Sequence, residues 1–568
     1  MGFMRCTFIH GPHLRLTFCL LLLMLAFGVE AQEESCYKVD FASRAMDRFK
    51  GDSRLDTSPI DELKGRVIRK IRYMRVGVFD ENDPDENNSL YLFLNKLHIN
   101  TKEYVISSQL LFHEGDTLDP DVILETERLL RRRDYLTGAF IVPEQICQGA
   151  VDLVVVTRDS WSFEVEGSFS HSGGDSSSGV GISDDNILGS GTSFSIGYEQ
   201  EADRTGIRYS LSTDHILSSR WSTRLAYADN SDGENVIVEL ERPFFSRHTP
   251  WAGGLTYNDV TEAEIIRSKG DEINGYRHEN GLQQVYVGHS LYVTRNSTQR
   301  LLGGYTIEED TFYPNDDTTE LGIPEYSKAS YPWLEYQYLE DHYAVYRNLN
   351  QIQRTEDVPL GITFGFRLGY GKAEPARHGD VLRYLGSYQH IFNINDEHLL
   401  QLYLGVNGRD HMDSNDQDSA IWSSKVSYNH MQSYKNRWYT SVAYDAGQDL
   451  EQHEELTVGG IVGMRGYPTS FQRGKKRFLA TVERRYYSDW HWFNLVRVGA
   501  VAFVEAGKAW DGPDNEDNDM LANFGIGLRL SSSKVRVGNV VHLDIATPLV
   551  EREGIDEYQI LVKAKRQF

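Results

Sequence analysis

Ile362-Thr363-Phe364-Gly365-Phe366-Arg367-Leu368-Gly369-Tyr370 alternates a large apolar residue with a small or polar one without a break. Successive side chains of a strand point to opposite faces, so this stretch has one apolar face and one polar face. The same period recurs in Phe194, Ile196 and Tyr198, in Trp251, Gly253, Leu255 and Tyr257, and in Phe524, Ile526, Leu528 and Leu530. Strands of about ten residues with a single apolar face match the span of a tilted membrane strand. From residue 159 to residue 568 the pattern segments into about twenty strands, an even number as single-chain membrane barrels require.

The connections support this reading. Short ones fall near 187–190, 215–218, 244–248, 392–397, 431–435 and 533–539. Long acidic or glycine-rich ones fall near 260–280, 312–330, 371–379, 409–420, 448–475 and 510–521. Alternating short turns and long loops is the habit of an outer-membrane barrel, with turns in the periplasm and loops outside. A soluble sandwich has no reason to alternate loop length. Residues 342–358 make a long connection on the turn side.

Composition agrees once the barrel is in mind. The 568 residues carry 83 acidic against 58 basic side chains, a net charge of −25. Such a balance excludes a nucleic-acid binder, which needs clustered Lys and Arg. A mean hydropathy of −0.46 excludes a bundle of spanning helices. It does not exclude a barrel, whose apolar half is hidden in alternate residues.

Residues 1–31 read as a secretory signal peptide, with Arg5 and Arg15, an apolar run from Leu16 to Phe27, then Val29-Glu30-Ala31. Cys36 and Cys147 remain after cleavage, and a cysteine pair in an exported chain predicts a disulfide. Two buried free thiols are the other reading. Residues 32–62 are unpatterned and read as a linker or arm.

Residues 63–158 predict a small α/β domain with the order β-α-α-β-β. Val67 to Val76 is its first strand. Thr101 is placed as the N-cap of a helix with Val105, Leu110 and Leu111 on its apolar face. Asp119-Pro120 opens a second helix, and Arg131-Arg132-Arg133 complements its dipole, with lipid headgroups or a neighbouring element as the other reading of that triplet. The acidic segment 80–87 lacks the glycine of a calcium loop and reads as solvated.

Four further motifs carry a family likeness. Val458-Gly459-Gly460 leads to Met464-Arg465-Gly466-Tyr467 in the longest loop. Phe503-Val504-Glu505-Ala506-Gly507 and Gly525-Ile526-Gly527-Leu528-Arg529 follow on strands, and Asp185-Asn186-Ile187-Leu188-Gly189-Ser190-Gly191 stands near the start of the barrel. Together these resemble the bacterial surface antigen superfamily of outer-membrane assembly factors, which includes insertases and two-partner secretion transporters. Residues 63–158 look like one POTRA repeat, the periplasmic module of that superfamily.

The resemblance implies a transmembrane antiparallel β-barrel of 16–20 strands preceded by a POTRA-like domain. It implies that the long loop folds into the lumen with Arg465, Gly466 and Tyr467 at its tip. Arg465 then pairs with Glu483 and with Glu505, which stands where the family usually has Asp. The first barrel strand, from Trp161 and Phe163, would meet the last, from Tyr558 to the terminal aromatic Phe568. Well-characterised relatives have sixteen strands and often several POTRA repeats, so this chain departs in both respects.

No catalytic set emerges. His113-Glu114 and His453-Glu454 lack the second His of a zinc-protease helix, and Gly288-His289-Ser290-Leu291-Tyr292 lacks the last glycine of a nucleophile elbow. The expectation is a non-enzymatic outer-membrane protein without metal or cofactor, inserting polypeptides into the membrane or moving them across it. Its expected partners are outer-membrane lipid, an extended client polypeptide and periplasmic accessory proteins. A passive, cation-preferring channel is the competing expectation. An outer-membrane lipid hydrolase is a third, and no residue spacing nominates its Ser-His pair.

Overall fold

The computed structural model describes residues 36–39, 58–79 and 81–565, apart from 82–83, 85–86, 173–174, 202, 270, 295, 341, 375–378, 413–417, 513–518, 535–539 and 551–554. The expected signal peptide, most of the 32–62 arm, part of the acidic segment and Phe568 lie outside the described residues. The chain divides into two compact units. One contains residues 1–72, 112–120 and 141–155; the other contains 73–111, 121–140 and 156–568.

A four-stranded sheet runs through the N-terminal part in the order β1 (Tyr37–Lys38), β3 (Leu136–Ile146), β4 (Ala150–Asp159) and β2 (Val67–Val76). In the first unit β1 pairs with the end of β3, Tyr37 opposite Ile146, and a disulfide joins Cys36 to Cys147 beside it. Ile68, Ile141, Val151 and Leu153 are fully buried and form the core face. On that unit's solvent side Arg69 grips Asp152 at 2.6 and 2.8 Å, and Arg72 grips Glu144 at 2.8 and 3.1 Å.

The helices are α1 (Ser58–Asp61), α2 (Ser89–Leu97), α3 (Glu103–Ser107) and α4 (Pro120–Arg131). α4 begins at the expected proline. Its buried residues include Thr126, Glu127 and Arg128 beside Ile123, Leu129 and Leu130. α2 has no counterpart in the sequence reading. Asn88 caps it by accepting the Tyr91 N–H at 3.0 Å, and Tyr91 stacks on Phe79 at 4.4 Å. Thr101 is not a cap: α3 is capped by Lys102 without a side-chain bond. Thr101 bonds Asp159 instead, through its N–H at 2.7 Å and its hydroxyl at 3.0 Å.

A closed antiparallel barrel makes up the rest of the chain. Among the described residues its staves number twenty, because Ser327–Glu340 and His342–Arg347 run in one register along the same partner, Thr355–Glu374. The outer face is apolar: Val287, Leu334 and Ile526 are 64%, 62% and 65% exposed. Ion pairs such as Arg367–Glu335 and Arg383–Glu308 are instead partly buried. Apolar side chains outside and paired charges shielded from the outer surface is the pattern of a barrel solvated by lipid. No helix among the described residues is long and apolar enough to cross a membrane.

Two expected connections are strand instead. Trp251–Ser268 and Asp271–Val293 pair through nearly all of 260–280, since polar alternation, read as loop, satisfies a ladder outside lipid equally well. The 342–358 connection is likewise a hairpin, with His342 opposite Leu360 and Arg347 opposite Thr355.

Candidate functional site

The loop between strands Asn436–Gln448 and Lys476–Trp492 is folded on itself. Leu456–Val458 pairs with Gln472–Gly474 as a small ribbon. Gly459 turns the chain with φ +127°, and a Cβ there would lie 2.0 Å from the Pro468 carbonyl. Only glycine fits both the backbone and the space. The tip beyond it is anchored by Tyr467, which is fully buried with Val458, Met464, Phe471 and Leu521. Its hydroxyl donates to the Ala522 carbonyl at 2.8 Å. At Gly466 a Cβ would stand 2.8 Å from that of Asn523, so glycine lets the loop lie directly on the wall.

Arg465 is thereby aimed at three strands. Its Nε donates to Glu505 at 2.9 Å, Nη2 to Glu483 at 2.8 Å and Nη1 to Asp544 at 2.9 Å. Its backbone N–H donates to the second Glu505 oxygen at 2.9 Å. The longer Glu side chain thus spans both the guanidinium and the main chain, so the extra methylene is accommodated. The guanidinium also lies 3.4 Å above the centre of the Phe503 ring.

Two further cations complete the group. Arg485 donates to Glu483 at 2.8 Å, and Arg529 donates to both Asp544 oxygens. Three guanidinium groups therefore face three carboxylates, and the cluster is neutral. Asp544 is 1% exposed and would be costly to leave unpaired. The sequence reading brought Arg465, Glu483 and Glu505 together but missed Asp544, Arg485 and Arg529. A lone Asp in the apolar strand Val540–Pro548 was the available signal. Glycine spacing was a second one, since a Cβ on Gly527 would fall 1.7 Å from Asp544 Oδ1.

The short-turn end of the barrel has its own closure. The hairpin 342–360 leaves the wall and its tip reaches several other strands. Asn348 Nδ2 donates to the Tyr434 carbonyl at 3.0 Å, Gln353 to Ser488 at 3.4 Å and Arg354 to Ser532 at 3.2 Å. Arg437 donates to the Leu349 carbonyl. The Glu356 carboxylate collects the N–H groups of Leu349, Asn350 and Gln351 at 2.8–3.2 Å and holds the tip folded. A cavity of about 620 Å³ lies between this hairpin and the wall residues Gln401, Lys425 and Tyr439.

Helix α4 pins the hairpin. Arg131 clamps Asp357 at 3.0 and 3.1 Å, and Arg128 stacks on Tyr343 at 3.6 Å. Arg133 pairs with Asp214. The basic triplet is thus committed to barrel carboxylates at two of its three positions, rather than to the helix dipole alone. The 185–191 motif makes a separate contact just before α3: Asn186 donates to Thr101 at 2.9 Å and accepts the Gly191 N–H at 2.7 Å.

First and last strands meet and close the barrel. Gln559–Lys565 runs antiparallel to Phe163–Ser172, with Val562 opposite His171. The neighbouring ladder, Gln559–Lys565 with Val540–Pro548, runs from Val540↔Lys565 to Ala546↔Gln559. Phe163 lies on the first strand, opposite Asp184, and Tyr558 is exposed just before the last. Trp161 is not on the seam. Its N–H donates to the Lys534 carbonyl at 2.8 Å, and its ring packs against Val78, Phe79 and Tyr91.

No protein-family model matches the sequence, and no curated protein matches it. Among solved structures, the chain is similar to CdiB from Escherichia coli at 12% identity and TM-score 0.45, covering 98% of this chain and 99% of that one. It is similar to CdiB from Acinetobacter baumannii at 11% identity and TM-score 0.39, covering 98% and 100%. A BamA from Haemophilus ducreyi lacking POTRA domains 1–3 is similar at 14% identity and TM-score 0.38, covering 88% and 84%.

Proposed function

We propose that this protein inserts extended polypeptides into the outer membrane, or passes them across it, from the periplasmic side. The observation that carries the reading is the seam. The barrel closes by pairing its last strand with its first, Val562 opposite His171, so the two strands that would expose an edge on opening meet in one stretch of wall. A strand edge released there offers main-chain donors and acceptors to an incoming strand. β2 and β1 are the outer strands of the small sheet, and β-augmentation on such a strand would hold a client in extended form.

The polar group around Arg465 acts in this reading as a structural latch, holding the infolded loop against four strands while the seam works. The infolded loop and the crossing hairpin count against a passive open pore.

Depletion in the native cell tests the proposal, with outer-membrane and secreted fractions compared quantitatively. Loss of particular outer-membrane or secreted proteins is the expected result. Unchanged fractions together with reduced uptake of small cations would favour the channel.

A further inference from the structure

Glu397, His398 and His430 each bring a ligand atom to one place, and the three atoms lie within 4.8 Å of one another. They are the only such group of three among the described residues. We propose that they form a binding site for a divalent transition cation of the zinc class, at the short-turn rim of the barrel.

The backbone builds the site. His398 opens strand His398–His411 and His430 closes strand Ser419–His430, and the ladder sets the two directly opposite each other. Such partners have Cβ atoms about 5 Å apart. Their rings face each other with centres 4.5 Å apart. Glu397 precedes His398 in a fixed turn: its N–H donates to Asn395 Oδ1 at 2.9 Å, and its carbonyl accepts the Met431 N–H at 2.7 Å.

An outer contact also orients one ligand. The Tyr428 hydroxyl lies 2.6 Å from His398 Nδ1. With Nδ1–H donating to that oxygen, Nε2 keeps its lone pair for a metal, the arrangement that fixes ring and tautomer in metal sites. Two imidazoles and a carboxylate suit zinc, with the fourth position left to water. Bonds of 2.0–2.1 Å require ligand atoms about 3.3 Å apart, so modest side-chain rotation closes the group.

Gln401, Tyr403, Lys425 and Ser427 line the lumenal cavity. By alternation His398, Tyr428 and His430 face outward, beside Trp438, which pairs with His430. The ion would cross-link the 395–398 turn to the end of the adjacent strand on the outer rim.

The test uses the full mature chain carrying a tag without histidine, folded in detergent, stripped with EDTA and titrated calorimetrically with zinc chloride. One equivalent binding with micromolar affinity and raising the thermal midpoint is expected. His398→Ala and His430→Ala should each lower affinity by more than about 100-fold, and Tyr428→Phe, which retains all three ligands, by about 10-fold. No uptake by the wild-type chain, or unchanged stoichiometry and affinity in the double histidine variant, would overturn the site. Should a histidine variant fail to fold, Glu397→Gln decides: affinity within twofold of wild type contradicts the assignment.

Discussion

Removing the Arg465 guanidinium should release the long loop, and the cost can be worked from its partners. The side chain makes three charge-assisted bonds of 2.8–2.9 Å to three carboxylates. Arg465→Met leaves Arg485 and Arg529 against Glu483, Glu505 and Asp544, one uncompensated negative charge in a nearly dry group. Breaking a buried pair from one side costs about 3–5 kcal/mol. Water can follow the loop out into the lumen, so we expect the low end, about 3 kcal/mol, or more than 100-fold in the local equilibrium. The assay is denaturant unfolding of the detergent-folded barrel, with limited proteolysis reporting cleavage within 449–475. Pairing Arg465→Met with Glu505→Gln should recover about 1–3 kcal/mol, since residues sharing one network are not additive. A loss below about 0.5 kcal/mol with an uncut loop would refute the latch.

Three other expectations follow from the same structure. Arg131→Ala should free the 342–360 hairpin from α4, removing a partly buried bidentate contact of about 1–3 kcal/mol; higher conductance in planar bilayers and proteolysis near 348–354 would show it. Burial pushes the Glu451 carboxyl up to about 7, its neighbour Glu454 adding to the rise against Arg409. The folded chain then holds a proton that the unfolded chain releases between about pH 4.5 and 7. Stability should fall as pH rises through that window, by about 3 kcal/mol at most, and Glu451→Gln should flatten the profile in thermal scans. Replacing both Cys36 and Cys147 by Ser opens a closure across 111 residues, and should cost the first unit about 2–5 kcal/mol by hydrogen-exchange protection.

Much of the barrel was legible because period two is imposed by geometry wherever one face meets lipid and the other does not. The same signal misleads at 260–280, where polar alternation reads as loop although the ladder continues past the apolar belt. Arg465, Glu483 and Glu505 were legible through glycine-flanked motifs that a tight loop requires. Asp544 was not: one carboxylate on an apolar strand has no local pattern, and its partners arrive from strands and a loop far away in sequence. Helix α2 has no legible period because Leu90-Tyr91-Leu92-Phe93-Leu94 is one unbroken apolar run, which reads equally as helix or strand. The crossing hairpin was hidden for another reason. Its identity rests on Asp357 meeting Arg131, a contact that no periodicity announces.

The central claim is that polypeptide handling requires the seam to part, and a reversible lock measures that directly. His171→Cys with Val562→Cys places a thiol pair on the facing residues, distinct from the native Cys36–Cys147 bond. In cells making only this variant, the oxidised lock should deplete the proteins lost on depletion of the chain, and mild reductant should restore them. Undiminished levels with the seam fully cross-linked would contradict the account.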